Sequence, residues 1–449
     1  MPELMSTVNP GRPHRHHQRI SRTAWRALEL ALAVVCCFLG LARNTAAEES
    51  EVREPLGINN PIHEYYQLPT QDRFGRLMDE IDSGRVTLDA SNELDLLRDV
   101  LRALEIPVSS QMLVTSATSL QKTIISPRRP RALYFNDDTY VGFVPGGQIE
   151  VISMDPKRGG MFYLFERVRA GRTPRIRRSE NCLTCHATPQ MNEIPQLVIE
   201  SVVPGITGGG EKAFRRNQTG HAIPLDQRFG GWLVTGAPNF TQHWGNILIV
   251  QNTKGVGLKQ RNMKPGELFD LNRYLLPTSD LLPQLLHEHQ VGFHNRVTRA
   301  TYQARTLLHG QSEPSDSEET QNQLQAIAKE LVRYILFADE APLPPGGVPH
   351  SEAFEADFLA QAHKAPDGKS LRDLDLETRL MRYRCSYLVE SDEFASLPKP
   401  IRRLVDLELE RALDPSRNPE DYAYLPNDEK KAIRSLLKLA FPLENDKAR

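Results

Sequence analysis

The chain has 449 residues, enough for two or three packed units, and 39% apolar against 25% charged residues leaves ample material for a true core, which excludes a disordered chain. The net charge is −2, and because residues 1–47 carry +4, residues 48–449 stand at −6; a mildly acidic chain of this kind excludes nucleic acid as the expected partner. Of five cysteines, Cys36 and Cys37 lie in that N-terminal stretch, Cys385 stands alone and only Cys182 and Cys185 form a close pair further on, so no disulfide framework is indicated.

Arg12, Arg15, Arg19, Arg22 and Arg26 form a basic lead, followed by the apolar run Leu30–Ala42 and the small residues Thr45, Ala46 and Ala47. This order predicts a signal peptide over 1–47, cleaved on export, with an uncleaved anchor as the alternative. The apolar run is shorter than the roughly 20 residues a membrane span needs. The expected location is therefore periplasmic or otherwise extracytoplasmic, with no stable membrane span after cleavage. His14, His16 and His17 fall in this segment and are discounted as ligands.

Residues 48–110 read as a loose polar lead-in followed by two helices. Phe74, Leu77, Met78 and Ile81 recur at helical spacing. Ser91-Asn92-Glu93 opens a second helix through Leu104, which Pro107 ends. Over 111–254 the pattern turns to short β-branched or aromatic runs at Met112, Leu133, Tyr140, Ile149, Phe162, Leu197, Gly231 and Asn246, with turns at Asn136–Asp138 and Pro145–Gly147. One antiparallel sheet is expected there. Residues 255–345 read as helical, with long apolar periodicity over Leu281–Leu308 and a strong helix over Gln321–Phe337. Ala341–His350 breaks the pattern as a linker. The C-terminal region 346–449 holds further helices near 352–363, 400–413 and 427–440. The expected class is α+β: an antiparallel, β-rich core flanked by short N-terminal helices and a helical C-terminal half.

Cys182-Leu183-Thr184-Cys185-His186 is a C-x-x-C-H sequence, and it makes a haem-bearing β-rich core the expectation. Two thiols add across the haem vinyl groups, the two intervening residues let both sulfurs reach one porphyrin edge, and the adjacent histidine becomes the proximal iron ligand. A thioredoxin-type pair would want a βαβ setting, whereas the flanks here are an Arg-rich loop and a Thr-Pro step. A structural zinc site would want another good ligand pair, and only the distant Cys385 remains. One motif implies one covalent haem c, held by Cys182, Cys185 and His186, with iron on His186.

The sixth iron position is left to His221, with His243 as the alternative, or to an open site. Both follow the motif within the strand-rich region. His287, His289 and His294 crowd Glu288, but the sequence is not HExxH, and a hydrogen-bonding role is the expectation, with a distal ligand as the minority reading. Arg172, Arg175, Arg177 and Arg178 precede the motif and are suited to haem propionates, to an acidic redox partner or simply to solvent. Gly205–Lys212 lacks the Walker pattern and reads as a loop. Trp232 and Trp244 are read either as walls of a haem pocket or as ordinary core. Cys385 reads as a buried free thiol, and Ser370–Asp375 as a capped helix start or a charged cluster.

In Pro130–Gly147, Asn181–Ala187, Gly220–Gly236, Gln242–Asn246, Glu288–Gln290 with His294-Asn295 and Thr298–Ala300, Ser370–Leu380 and Tyr383–Leu388, the chain resembles a largely uncharacterised family of bacterial cytochrome c domain-containing proteins. The resemblance implies haem binding and electron transfer and supplies no substrate. The motif lies mid-chain among strands, unlike the small all-helical cytochromes c, and the layout is similar, more weakly, to PAS-like haem c sensor domains. The expected function is periplasmic electron transfer with a redox partner protein. A redox or gas sensor with a labile sixth ligand is the alternative, and a peroxidase-like enzyme ranks last.

Overall fold

The computed structural model describes residues 56–169, 174–215, 218–237, 240–251, 257–310, 317–349, 351–417 and 419–440. The expected signal peptide, Arg172 and His350 lie outside the described residues. The described chain is α+β, with an antiparallel seven-stranded sheet and helices on both of its faces.

The first described residues are packed rather than loose. The Ile58 N–H donates to the Glu193 carbonyl at 3.0 Å, and the Tyr65 hydroxyl donates to the Gly160 carbonyl at 2.9 Å. Two helices follow, α1 (Arg73–Asp82) and α2 (Glu93–Ala103). Asp72 caps α1 by accepting from the Gly75 N–H, and Asn92 caps α2 by accepting from the Leu94 and Asp95 N–H groups. α2 ends before Pro107, as the sequence predicts.

The strands of this sheet are β1 (Met112–Val114), β2 (Arg131–Phe135), β3 (Thr139–Phe143), β4 (Ile149–Asp155), β5 (Gly159–Phe165), β6 (Ile176–Arg178) and β9 (Trp232–Leu233). Their order is β6-β5-β4-β3-β2-β1-β9. Strand alternation divides the side chains between two faces. Leu113, Tyr134, Val141, Phe143, Val151, Met161 and Phe165 share an apolar cluster with Phe74 of α1 and Leu96, Leu97 and Leu101 of α2. Met112, Phe135, Tyr140, Met154 and Trp232 point the other way and join the core of the C-terminal helices. On this second face, Phe135 pairs with Tyr140, Tyr140 with Ile152, and Ile152 with Phe162, so these four side chains form one row across β2 to β5.

The expectation of one sheet needs correction. β7 (Ser201–Pro204) pairs with β8 (Gly210–Arg215), and β10 (Ile247–Gln251) with β11 (Leu258–Asn262), as two ribbons outside the seven-stranded sheet, linked to each other by one parallel bridge between Gly205 and Ile249. Pro204 has no N–H to continue a ladder, and β7 departs from regular register at two places. Gly205–Lys212, read as a loop, is the turn and return strand of a hairpin. β8 carries no β-branched residue over Gly210–Arg215, so the sequence shows no strand signal there.

A short helix, α3 (Leu183–His186), carries the motif. α4 (Leu281–Leu308) has 28 residues and is buried along most of its length, including Gln284, His287, Glu288, His289, Gln290, His294, Asn295 and Thr298. Then come α5 (Glu318–Ile335), α6 (Glu352–Ala360), α7 (Asp392–Ala395), α8 (Lys399–Ala412) and α9 (Asn427–Ala440). Ser370–Asp375 starts no helix. Its Arg372 guanidinium pairs with Asp137 and lies over the rings of Phe358 and Tyr387, which is the charged-cluster reading. Among the described residues, no helix is long and apolar enough to cross a membrane.

Candidate haem-attachment site

The motif occupies a single turn. A 3-10 turn over Glu180–Cys182 runs directly into α3, and the Thr184 hydroxyl donates to the Asn181 carbonyl at 2.8 Å. In helical geometry, Cys185 follows Cys182 by three residues and His186 follows it by four, so all three share one face of the turn. Both thiols are free, Cys182 half-buried and Cys185 exposed. Burial pushes the Cys182 thiol pKa up, while the Ser179 side chain and Arg177 pull it down.

His186 is held in one orientation. Its Nδ1–H donates to the Gln196 carbonyl at 2.8 Å, because a carbonyl can only accept. That fixes the tautomer and leaves the lone pair on Nε2, which makes no hydrogen bond among the described residues. Metal-binding histidines are oriented in this way by a backbone carbonyl. The ring packs on Phe162 with centroids 4.7 Å apart. Burial lowers the His186 pKa, opposed by the Gln196 carbonyl and Glu150 and assisted by Arg131, so the ring favours its neutral, metal-binding form.

The loop that supplies Gln196 is fastened to α4. Asn295 accepts from the Leu197 N–H at 2.8 Å and donates to the Leu197 carbonyl at 2.9 Å. On the other side of the motif, Arg178 donates to the Tyr65 carbonyl at 2.8 Å and lies over the Tyr65 ring.

On the sheet face near His186, Arg131 and Glu150 form a 3.1 Å ion pair, with side chains 16% and 17% exposed. Glu150 also accepts from Ser119 and Gln121, whereas the buried Nε of Arg131 has no partner. Leu133 and Ile152, central in the sheet, are only partly buried. Two thiols on one face, a bare imidazole nitrogen, an apolar floor that is not fully covered and a guanidinium with an unpartnered nitrogen are a set of the kind a covalently attached haem would use. Among the described residues, no three His, Cys, Asp or Glu side chains gather as a metal-ion cluster.

The two histidines expected to complete the iron make contacts of their own. His221 is sandwiched between Tyr334 and Phe337, at 4.2 and 4.4 Å between centroids, and its Nδ1 faces His289 Nδ1 at 2.9 Å. Its buried Nε2 has no hydrogen bond, but the charges acting on the ring are those of His289, Arg296 and Arg228, not those beside the motif. His243 stacks on Phe240, accepts at Nδ1 from the Gly245 N–H and donates from Nε2 to the Phe240 carbonyl, so neither nitrogen is free. None of these contacts reaches the motif.

The α4 histidines differ from one another. His289 meets His221 and the Ser386 hydroxyl, and His294 meets Glu393 at 2.6 Å and the Asp137 carbonyl at 3.0 Å. His287 is 6% exposed and makes no hydrogen bond among the described residues. It packs against Phe135 and Tyr140, both at 5.4 Å, and Trp232 at 5.9 Å. The sequence offers no mark that separates it from its two neighbours. No protein family, curated protein or solved structure matches this chain.

Proposed function

We propose that the chain is an exported monohaem cytochrome of c type that transfers electrons to or from a partner protein outside the cytoplasm. The observation that carries the reading is the CxxCH turn with His186 held through Nδ1 by Gln196, its Nε2 left bare beside two free thiols. When bound, the haem supplies reversible one-electron chemistry at its iron. The protein's part is to hold the proximal imidazole neutral and fixed, to cover the ring with apolar side chains and to set the charge near the propionates. Cys185 is exposed, so a ring attached there would have that edge near the surface, within reach of a partner protein.

The test is a redox titration of the purified, haem-loaded protein. The reading expects a reversible one-electron transition and electron exchange with small mediators. An irreversible response, or peroxide turnover well above that of free haem, overturns electron transfer as the function.

A further inference from the structure

We propose that His287, not His221 or His243, supplies the sixth ligand on the side of the haem opposite His186; this rests on the haem reading above.

The first argument is the state of its ring. His289, His294 and His243 each have both nitrogens engaged. His221 has one nitrogen without a hydrogen bond, but that Nε2 is sealed from solvent, as are both nitrogens of His63. His287 has neither nitrogen engaged among the described residues, and neither is sealed, so both are open to a ligand. A bond to iron satisfies one nitrogen and explains why the protein keeps an imidazole there.

The second argument is position. His186 lies on Phe162, and His287 lies against Tyr140 and Phe135. Tyr140, Ile152 and Phe162 are consecutive members of one cross-strand row, so the two histidines flank Ile152, the partly buried floor between them. Two strand spacings separate Tyr140 from Phe162, about 10 Å. Two imidazoles across one metal, each about 2 Å from it, put their ring centres roughly 6 Å apart. A lean of each ring toward Ile152 would meet that requirement.

The third argument is mechanical. Asn295, eight residues beyond His287 on the same helix, clamps Leu197 beside the Gln196 that orients His186. One rigid helix therefore sets the spacing of the two ligands.

The experiment compares optical and electron paramagnetic resonance spectra of the haem-loaded wild type, His287→Ala, His287→Met and His221→Ala. Expected are a low-spin bis-histidine signal in the wild type and in His221→Ala, and its loss in His287→Ala, where the iron becomes high-spin, binds carbon monoxide when reduced and returns to low spin with added imidazole. His287→Met, which keeps a ligand and the bulk at that position, should give a histidine–methionine spectrum. A low-spin bis-histidine signal that persists in both His287 variants, or a high-spin wild type, overturns the assignment while leaving the haem reading intact. A wild type that carries no covalent haem overturns the haem reading itself.

Discussion

His186 donates from Nδ1 to the Gln196 carbonyl at 2.8 Å, and the residue after Gln196 is bound through both its backbone groups by Asn295 of the long helix. His186 thus hangs on α4 through Gln196 and Leu197, although nearly a hundred residues separate motif and helix. Asn295→Leu keeps the size but leaves the buried Leu197 N–H and carbonyl unpaired. It should cost about 2–3 kcal/mol in urea unfolding and broaden the haem spectrum by loosening His186. An unchanged midpoint and spectrum would show that the clamp is dispensable.

His221 is expected to matter for stability and not for the iron. His221→Ala removes a ring packed between Tyr334 and Phe337, and by the usual cost of large-to-small core changes it should lose about 2–4 kcal/mol. Thermal unfolding measures the loss, and the optical spectrum of the folded variant should match the wild type.

Gly292 lies inside α4, where alanine would ordinarily help by about 1 kcal/mol. Here a Cβ would fall 2.0 Å from the Tyr334 hydroxyl oxygen and 2.7 Å from the Gly220 Cα. Tyr334 cannot swing away cheaply, because its hydroxyl donates to the His289 carbonyl at 2.8 Å. Gly292→Ala should therefore destabilise by about 1–3 kcal/mol through overpacking, read by chemical denaturation; a gain in stability would mean that α4 and α5 pack less closely than described.

Glu340 gives stability a pH dependence. Burial raises its carboxyl pKa to about 7, against the opposing pull of the Leu380 N–H and of Arg379, Arg228 and Arg384. Between the ordinary carboxylate pKa of 4.5 and about 7, the folded chain keeps a proton that the unfolded chain has released. Stability from this group therefore falls as pH rises through that window and levels off above it. Glu340→Gln should remove up to about 3 kcal/mol of that slope, at 1.36 kcal/mol per pKa unit, visible as a flatter plot of unfolding midpoint against pH from 4.5 to 7.

The helices were legible because their apolar spacing is long and regular. Leu281–Leu308 was expected as a unit and is one helix, and the expected 427–440 segment is α9. The central strands were legible from Tyr140 and Ile149, whose runs are β-branched or aromatic and bounded by turn residues. Partnership was not legible. Nothing in Leu197–Val203 or Asn246–Gln251 says that these runs leave the main sheet, because that depends on the return strands β8 and β11.

At the site, the motif was legible from local chemistry alone, since three residue types at fixed spacing define it. The partner of His186 was not, because Gln196 acts through its backbone carbonyl, which any residue carries. His221 ranked first in the sequence because it follows the motif closely among strands. The fold instead buries it between Tyr334 and Phe337, and brings His287, a hundred residues from the motif, against the sheet row on which His186 lies.

The central claim is covalent haem on Cys182 and Cys185, and its most direct measurement is haem retained by the denatured chain. The protein, exported from a host with c-type haem maturation, is extracted with acidified organic solvent and its haem is counted per chain from the pyridine haemochrome. The account predicts one haem that stays with the wild-type chain and is absent or extractable in Cys182→Ala/Cys185→Ala. A wild-type chain whose haem is wholly extracted, or which carries none and holds Cys182 and Cys185 as a disulfide, would contradict it.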